Sequence, residues 1–433
     1  MPGPSSRPSP RAVRGEGARG PRVTASILKE KDFLMSAFTR NAIVLGLLSA
    51  VGPFAIDMYL PALPAITADL HTTTSATQMT LIAFFIAFGL CQIAYGPLSD
   101  VYGRKAPLYA GLTLFIAGSI GCALAPSVAW LIAFRFVQGL GAAAMGVIPR
   151  AIIRDLHTGV EATKLMALVM LVFSVSPILA PLGGSALIVP FGWRAVFVAV
   201  TIAAVLALVL VAALLPETRP AHERISGSVR NVLGSFGELL RDWHFLGLTF
   251  IGGLGMASFF AFLATSSFVY IGHYGLTPTQ YSLAFSVNAI GFIGASQFAG
   301  FLGGRFGMGR VVMAAVSAYA FFAVVLLALT LAGFTSLAVL IPLLFVSFAF
   351  LGLVIPSTMV LSLENHGPIA GIASALGGTL QMVTGGLMIG VSGLFFDGTS
   401  LPMVATIACT AFGALAVSIA TLRPRELSPQ LAE

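Results

Sequence analysis

Charged residues make up only 9% of this 433-residue chain, against 57% hydrophobic. A domain folded in water carries roughly 25% charged residues, so the composition excludes a soluble globular protein and leaves a chain folded in lipid. Cysteine is equally sparse. Cys91, Cys122 and Cys409 all fall inside apolar runs, at spacings that fit neither a metal site nor a disulfide framework, and they read as small packing residues. The six histidines are scattered, and no His, Asp, Glu or Cys constellation suggests a catalytic or metal centre. No segment between the apolar runs is long enough to fold alone, and no Gly-rich phosphate loop is present. These absences argue against an enzyme, a resident metal or cofactor, and direct ATP drive.

What is abundant is long apolar sequence. About twelve runs are long enough to cross a hydrocarbon layer of about 30 Å as helices. They begin near Asn41, Ala76, Ala106, Val128, Thr163, Gly192, His244, Thr279, Gly309, Ser336, Ile369 and Leu401. Each lasts roughly 20 residues, and most gaps between them are short. The expected fold class is an all-α membrane protein of twelve transmembrane helices in two pseudo-symmetric six-helix halves.

Lys and Arg fall on one side of this arrangement. Eight lie in the N-terminal segment, and Arg104, Lys105, Arg150, Arg154 and Lys164 follow in alternate connections. The segment between spans six and seven carries Arg219, Arg224, Arg230 and Arg241; Arg305, Arg310, Arg423 and Arg425 complete the set. With twelve spans, 21 of the 23 basic residues share one face, and only Arg135 and Arg194 fall elsewhere. Short basic connections stay in the cytoplasm, so both termini are expected there. The net charge of +7 then follows from topology and an anionic inner leaflet, and it requires no nucleic-acid partner. Residues 1–38, rich in Pro, Gly, Ser and Arg, read as a disordered cytoplasmic tail and not a cleaved signal peptide; an organelle-targeting leader is the alternative.

The chain contains an internal echo. Gly96 to Leu108 (GPLSDVYGRKAPL) has a degraded copy in Gly300 to Arg310 (GFLGGRFGMGR), with Gly96, Leu98 and Gly103 matched by Gly300, Leu302 and Gly307, all displaced by 204 positions. Val147-Ile148-Pro149 recurs as Val354-Ile355-Pro356, displaced by 207. A duplicated short connection between membrane helices is what a transporter of two parallel halves shows. The halves are expected at 39–215 and 244–423, joined by a polar linker at 216–243, with a short tail at 424–433.

Arginine inside a membrane helix is costly unless it faces water or an anion, which makes Arg135 a functional candidate, with Asp57 in span one as its natural partner. At 1.5 Å per residue, Asp57 lies roughly 24 Å beyond Asn41, and Arg135 roughly 10 Å in from the outer start of span four, so both fall in the outer half of the bilayer. Desolvation and a nearby guanidinium act in opposite directions on a carboxyl group, and their balance can leave it able to titrate. Asp57 is therefore the expected proton site, with Arg135 favouring its charged form; a static ion pair, or an Asp resting among the headgroups, is the alternative.

In GPLSDVYGRK, Gly96 and Gly103 allow a tight turn, while Asp100, Arg104 and Lys105 lie at the cytoplasmic surface, where the Asp can latch helix ends in one state; an ordinary solvated loop is the other reading. Span five carries Pro177, Pro181, Gly183 and Gly184, which should bend or break the helix, as a barrier to leakage or as a packing kink. Gln138, Asn288 and Gln381, with Gln92 and with Met58 and Tyr59 beside Asp57, are candidates for the cavity wall; the amides serve equally well as interhelical glue.

Taken together, these residues resemble the major facilitator superfamily, within it the twelve-span drug:proton antiporters, and most closely the bicyclomycin and chloramphenicol resistance (Bcr/CflA) type. The resemblance runs from about Asn41 to Arg423 and is carried by DMYLPALPAI from Asp57, GPLSDVYGRK from Gly96, RFVQGLGAAA from Arg135, PILAPLGG from Pro177 and GWRAVF from Gly192. It implies alternating access, an inner (plasma) membrane location, and proton-driven export of small amphipathic antibiotic-like molecules by a monomer. A same-fold rival is a proton-coupled carrier of a metabolite, since a fold does not settle direction. Two departures stand out: Val101 occupies a position where the family often has a basic residue, and Ala180 one where the antiporter motif usually has Gly.

Overall fold

The computed structural model describes residues 21–223 and 229–422. Among them no strand forms, and twelve helices are long and apolar enough to cross a membrane. They are α1 (Pro21–Asp57), α2 (Thr74–Tyr102), α3 (Lys105–Ala123), α4 (Val128–Leu156), α5 (Gly159–Phe191), α6 (Arg194–Leu214), α7 (Trp243–Ser267), α8 (Pro278–Ser296), α9 (Met308–Leu331), α10 (Leu337–Glu364), α11 (Ala370–Leu394) and α12 (Leu401–Leu422). With an even number of spans, the start of α1, the α6–α7 connection and the end of α12 share one side, called here the terminal side; the opposite face is the far side.

The helix limits follow from local chemistry. Thr73 accepts the Ala76 amide at 3.2 Å to start α2, the Asp242 carboxylate caps α7, and Thr277 with Gln280 closes a reciprocal capping box before Pro278 at the head of α8. The duplicated motif is less of a loop than expected. Gly96 to Tyr102 is the last part of α2, and the whole turn is made at Gly103, with φ +87°; in the second half Gly307 turns the chain with the same φ of +87°. Gly96 itself is helical and makes no turn.

Two other expectations are corrected, the structureless N-terminal tail and a break in span five. α1 starts at Pro21, so residues 21–38 are helical and not a structureless tail; Ala, Leu, Lys and Glu in VTASILKEKDFLMSAF are strong helix formers. The first part of that expected tail lies outside the described residues, as does the whole of the C-terminal one. Within the polar linker Val229–Leu239 is helical, and Leu239 is buried with Phe245, Ala373 and Leu376 of the second half. α5 is also unbroken through Pro177, Pro181 and Pro190. Neighbouring helices and local adjustments satisfy the carbonyls that proline frees, which is why membrane helices tolerate it.

The repeat is visible in packing. α2 packs on α4, α1 on α5 and α6, and α3 on α4 and α6; the same pairings recur six helices later, α8 on α10, α7 on α11 and α12, and α9 on α10 and α12. Small residues permit the closest crossings. A Cβ at Gly139 of α4 would overlap the Phe84 carbonyl of α2, and one at Gly352 of α10 would overlap the Phe292 carbonyl of α8, the corresponding helix pair in the other half. The halves meet along two seams, α2 against α11 and α5 against α8. On the terminal side the second seam opens into a cleft of about 790 Å³, lined by residues that include Phe38, Lys164, Leu168, Ser174, Ile293 and Gln297.

Candidate functional site

Asp57 sits at a break in the first span. Pro61 has no N–H to offer the Asp57 carbonyl, and Pro64 none for that of Leu60, so α1 gives way to a 3₁₀ turn (Leu60–Ala62) and a short helix (Leu63–Asp69). The carboxyl is enclosed, 5% exposed, and accepts a hydrogen bond from Ser176 Oγ of α5 at 3.1 Å. It also lies within electrostatic reach of the Tyr281 hydroxyl of α8, which is itself hydrogen-bonded to Ser266 of α7 at 3.1 Å. Asp57 thus belongs to the place where α1 and α5 of one half meet α7 and α8 of the other.

Arg135 does not pair with it. The guanidinium is fully buried, and Nη1 donates to the Ala55 carbonyl at 3.2 Å and to Gln138 Oε1 at 2.7 Å, while Nε and Nη2 make no hydrogen bond. Aromatic faces surround it: the Phe84, Tyr59 and Phe197 ring centres are 4.4, 4.6 and 6.0 Å from its central carbon. An arginine caged in this way keeps its charge through cation–π attraction, worth about 2 kcal/mol or more once desolvated. Its link to Asp57 is the α1 backbone, since it grips Ala55 two residues earlier.

The remaining wall candidates divide. Tyr59 is fully enclosed, its hydroxyl 2.8 Å from Thr80 Oγ1, and Gln138 passes a hydrogen bond from Arg135 on to Ser119 at 2.7 Å; both are interior struts of the first half here. Asn288 is buried and donates to the Ala284 carbonyl on its own helix. Gln92 and Gln381 are half-buried, Gln381 beside Gly252 of α7 and Gln92 beside Gly378 of α11. Met58 is also half-buried, and its backbone lies against Gly184, where a Cβ would overlap the Met58 carbonyl; Gly183 faces the Met58 side chain.

On the terminal side the GPLSDVYGRK charges close a ring. Buried Arg104 donates to Asp155 at 2.7 and 3.2 Å, to Asp100 at 2.7 Å and to Ser99 at 2.7 Å. Glu217 accepts the amides of Arg104 and Lys105, Lys105 Nζ donates to the Leu215 carbonyl, and Arg219 donates to Asp100 at 2.8 Å. Burial works against the Arg104 charge, but Asp155 and Asp100 more than offset it and hold the guanidinium above its usual value. Arg219 supplies from the linker a basic partner for Asp100 that Val101 cannot. The ring joins α2, the start of α3, α4 and the first residues of the linker.

Arg194, the other exception to the charge rule, is answered on the far side by Asp69 at 2.8 Å and stacks on Trp193. Sequence reasoning missed Ser176, Tyr281, Asp155 and Glu217. Glu217 and Asp155 carried a signal, as acids at span ends among the basic residues; Ser176 and Tyr281 carried none. Among the described residues no group of three His, Cys, Asp or Glu could hold a metal ion.

A profile of the Major Facilitator Superfamily matches residues 45–389. The chain is 36% identical over 378 residues to the uncharacterized MFS-type transporter YdgK of Bacillus subtilis (strain 168), covering 87% of this chain and 94% of that one. It is 31% identical to the bicyclomycin resistance protein homolog of Haemophilus influenzae, covering 88% and 96%, and 29% identical to a chloramphenicol resistance protein of Pseudomonas aeruginosa over 59% of each. These relatives bear out the resemblance to the bicyclomycin and chloramphenicol resistance type. Among solved structures, a D-xylose-proton symporter superposes with a TM-score of 0.68 at 16% identity, covering 88% of this chain and 97% of that one, which shows the shared fold. Carrying a buried carboxyl at the junction of two repeated six-helix bundles, this chain belongs to the major facilitator superfamily and is a multi-pass membrane transporter, not an enzyme.

Proposed function

We propose that this transporter exports small amphipathic antibiotic-like compounds from the cell in exchange for protons, by alternating access in the inner membrane with both termini in the cytoplasm. The observation that carries the reading is Asp57, the one acidic side chain buried among the described residues, placed where both halves converge. A carboxylate without a cationic partner is costly to enclose, so the site must either open to water or take up a proton before it closes. Binding a proton from the far side displaces the cargo there; losing it to the terminal side readies the site for the next molecule. Arg135 holds the α1 backbone through Ala55, two residues before Asp57. The relatives named for resistance to bicyclomycin and chloramphenicol supply the substrate class.

The test is transport in proteoliposomes under an imposed pH gradient, with chloramphenicol and bicyclomycin as cargo. Wild type is expected to move cargo against its own gradient and to carry protons the other way. Asp57→Asn is expected to lose the pH-driven component while still exchanging cargo down its gradient. Full pH-driven transport by Asp57→Asn would overturn the coupling role.

A further inference from the structure

The hydrogen bonds between the halves share one design. Ser75 Oγ donates to the Gly393 carbonyl at 3.0 Å, Gln78 Nε2 to Ala264 at 3.2 Å, Thr379 Oγ1 to Gly89 at 2.6 Å, Ser282 Oγ to Pro181 at 2.8 Å and Ser286 Oγ to Ile178 at 2.8 Å. Each is a side-chain donor on a backbone carbonyl. These five, among the described residues, lie toward the far side or at mid-depth; toward the terminal side the α5–α8 seam parts into the cleft that begins at Ile178.

We propose that Ser282 and Ser286 are gating residues of the transport cycle: their hydroxyls latch α8 onto the PILAPLGG segment of α5 while the terminal side is open, and release it when the far side opens. Three features single out this pair. Its acceptors lie within the span-five motif, Ile178 and Pro181, so the motif's role is to present carbonyls to the other half. Ser282 already has a second acceptor, the Pro278 carbonyl of its own helix at 2.9 Å, so release leaves that donor satisfied and adds little barrier. Ser176, the hydrogen-bond partner of Asp57, lies two residues before Ile178 on the same helix, so the buried carboxyl adjoins the acceptor side of the latch.

The inference rests on alternating access but not on proton coupling, and its test is a pair of distances that need no transport. In a background carrying Cys91→Ala, Cys122→Ala and Cys409→Ala, spin labels at exposed Ala129 and Ser336 report the far side, and labels at exposed Thr158 and Asn365 the terminal side. Ser286→Ala is expected to raise the ratio of far-open to far-closed protein about threefold, and Ser282→Ala with Ser286→Ala about tenfold, as suits interhelical hydrogen bonds in membranes. The terminal distance should shorten in step. Ser282→Thr with Ser286→Thr, which keeps both hydroxyls, should restore the wild-type ratio and separates a latch from a packing defect. Unchanged distributions in the alanine variants would overturn the latch, as would a wild type fixed at one distance on both sides under every cargo and pH condition.

Discussion

At the scale of single residues, Arg135 shows how a charge is kept inside lipid without a carboxylate. Its planar guanidinium fills the space between Phe84 and Tyr59 while one edge reaches Ala55 and Gln138. Lysine has a compact ammonium that cannot lie flat between the two rings as a guanidinium does. Arg135→Lys is therefore expected to lower stability by about 2 kcal/mol, read as a drop in melting temperature of the detergent-solubilised protein. An unchanged melting temperature would show that the cage is not what holds the charge. Arg135 and Asp57 were legible in the sequence because each breaks a composition rule. Their surroundings were not: with 33 Phe in the chain, nothing in residue order selects Phe84 as the face that meets Arg135.

At the scale of elements, the duplicated motif was read correctly as a repeat and too generously as a loop. Its fixed point is one backbone conformation, occurring at both Gly103 and Gly307 with φ +87° and placing a helix end directly against a helix start. A side chain there is strained whatever space surrounds it, so Gly103→Ala and Gly307→Ala should each destabilise by roughly 1–3 kcal/mol. Thermal unfolding of each variant measures this, and similar losses in the two halves are the outcome that equivalence requires. α5 teaches the opposite lesson. Its prolines predict a bend or a break when the helix is considered alone, yet it runs without a break from Gly159 to Phe191. Proline's effect inside a membrane depends on its neighbours, which the local sequence does not contain.

For the whole molecule, the hydrogen bonds between halves cluster away from the terminal side, and the 790 Å³ cleft opens toward it. If the terminal side is cytoplasmic, as the placement of Lys and Arg implies, the cleft opens to the cell interior. Cysteine introduced at Ser336 should react with a membrane-impermeant maleimide in intact cells, whereas cysteine introduced at Asn365 should react only after the cells are opened. The reverse pattern would invert the orientation and overturn the cytoplasmic placement of both termini.

The twelve spans, their alternation and the paired glycine turns were determined by sequence alone, because hydropathy over some twenty residues and the steric limits of one φ angle are local quantities. Which side chains face each other was decided only by tertiary structure. Ser176 and Asp57 are 119 residues apart, and Arg104 and Asp155 are 51 apart. Their meeting depends on the rotation and crossing of helices whose every face is apolar, so no periodic pattern in the chain marks the side that turns inward.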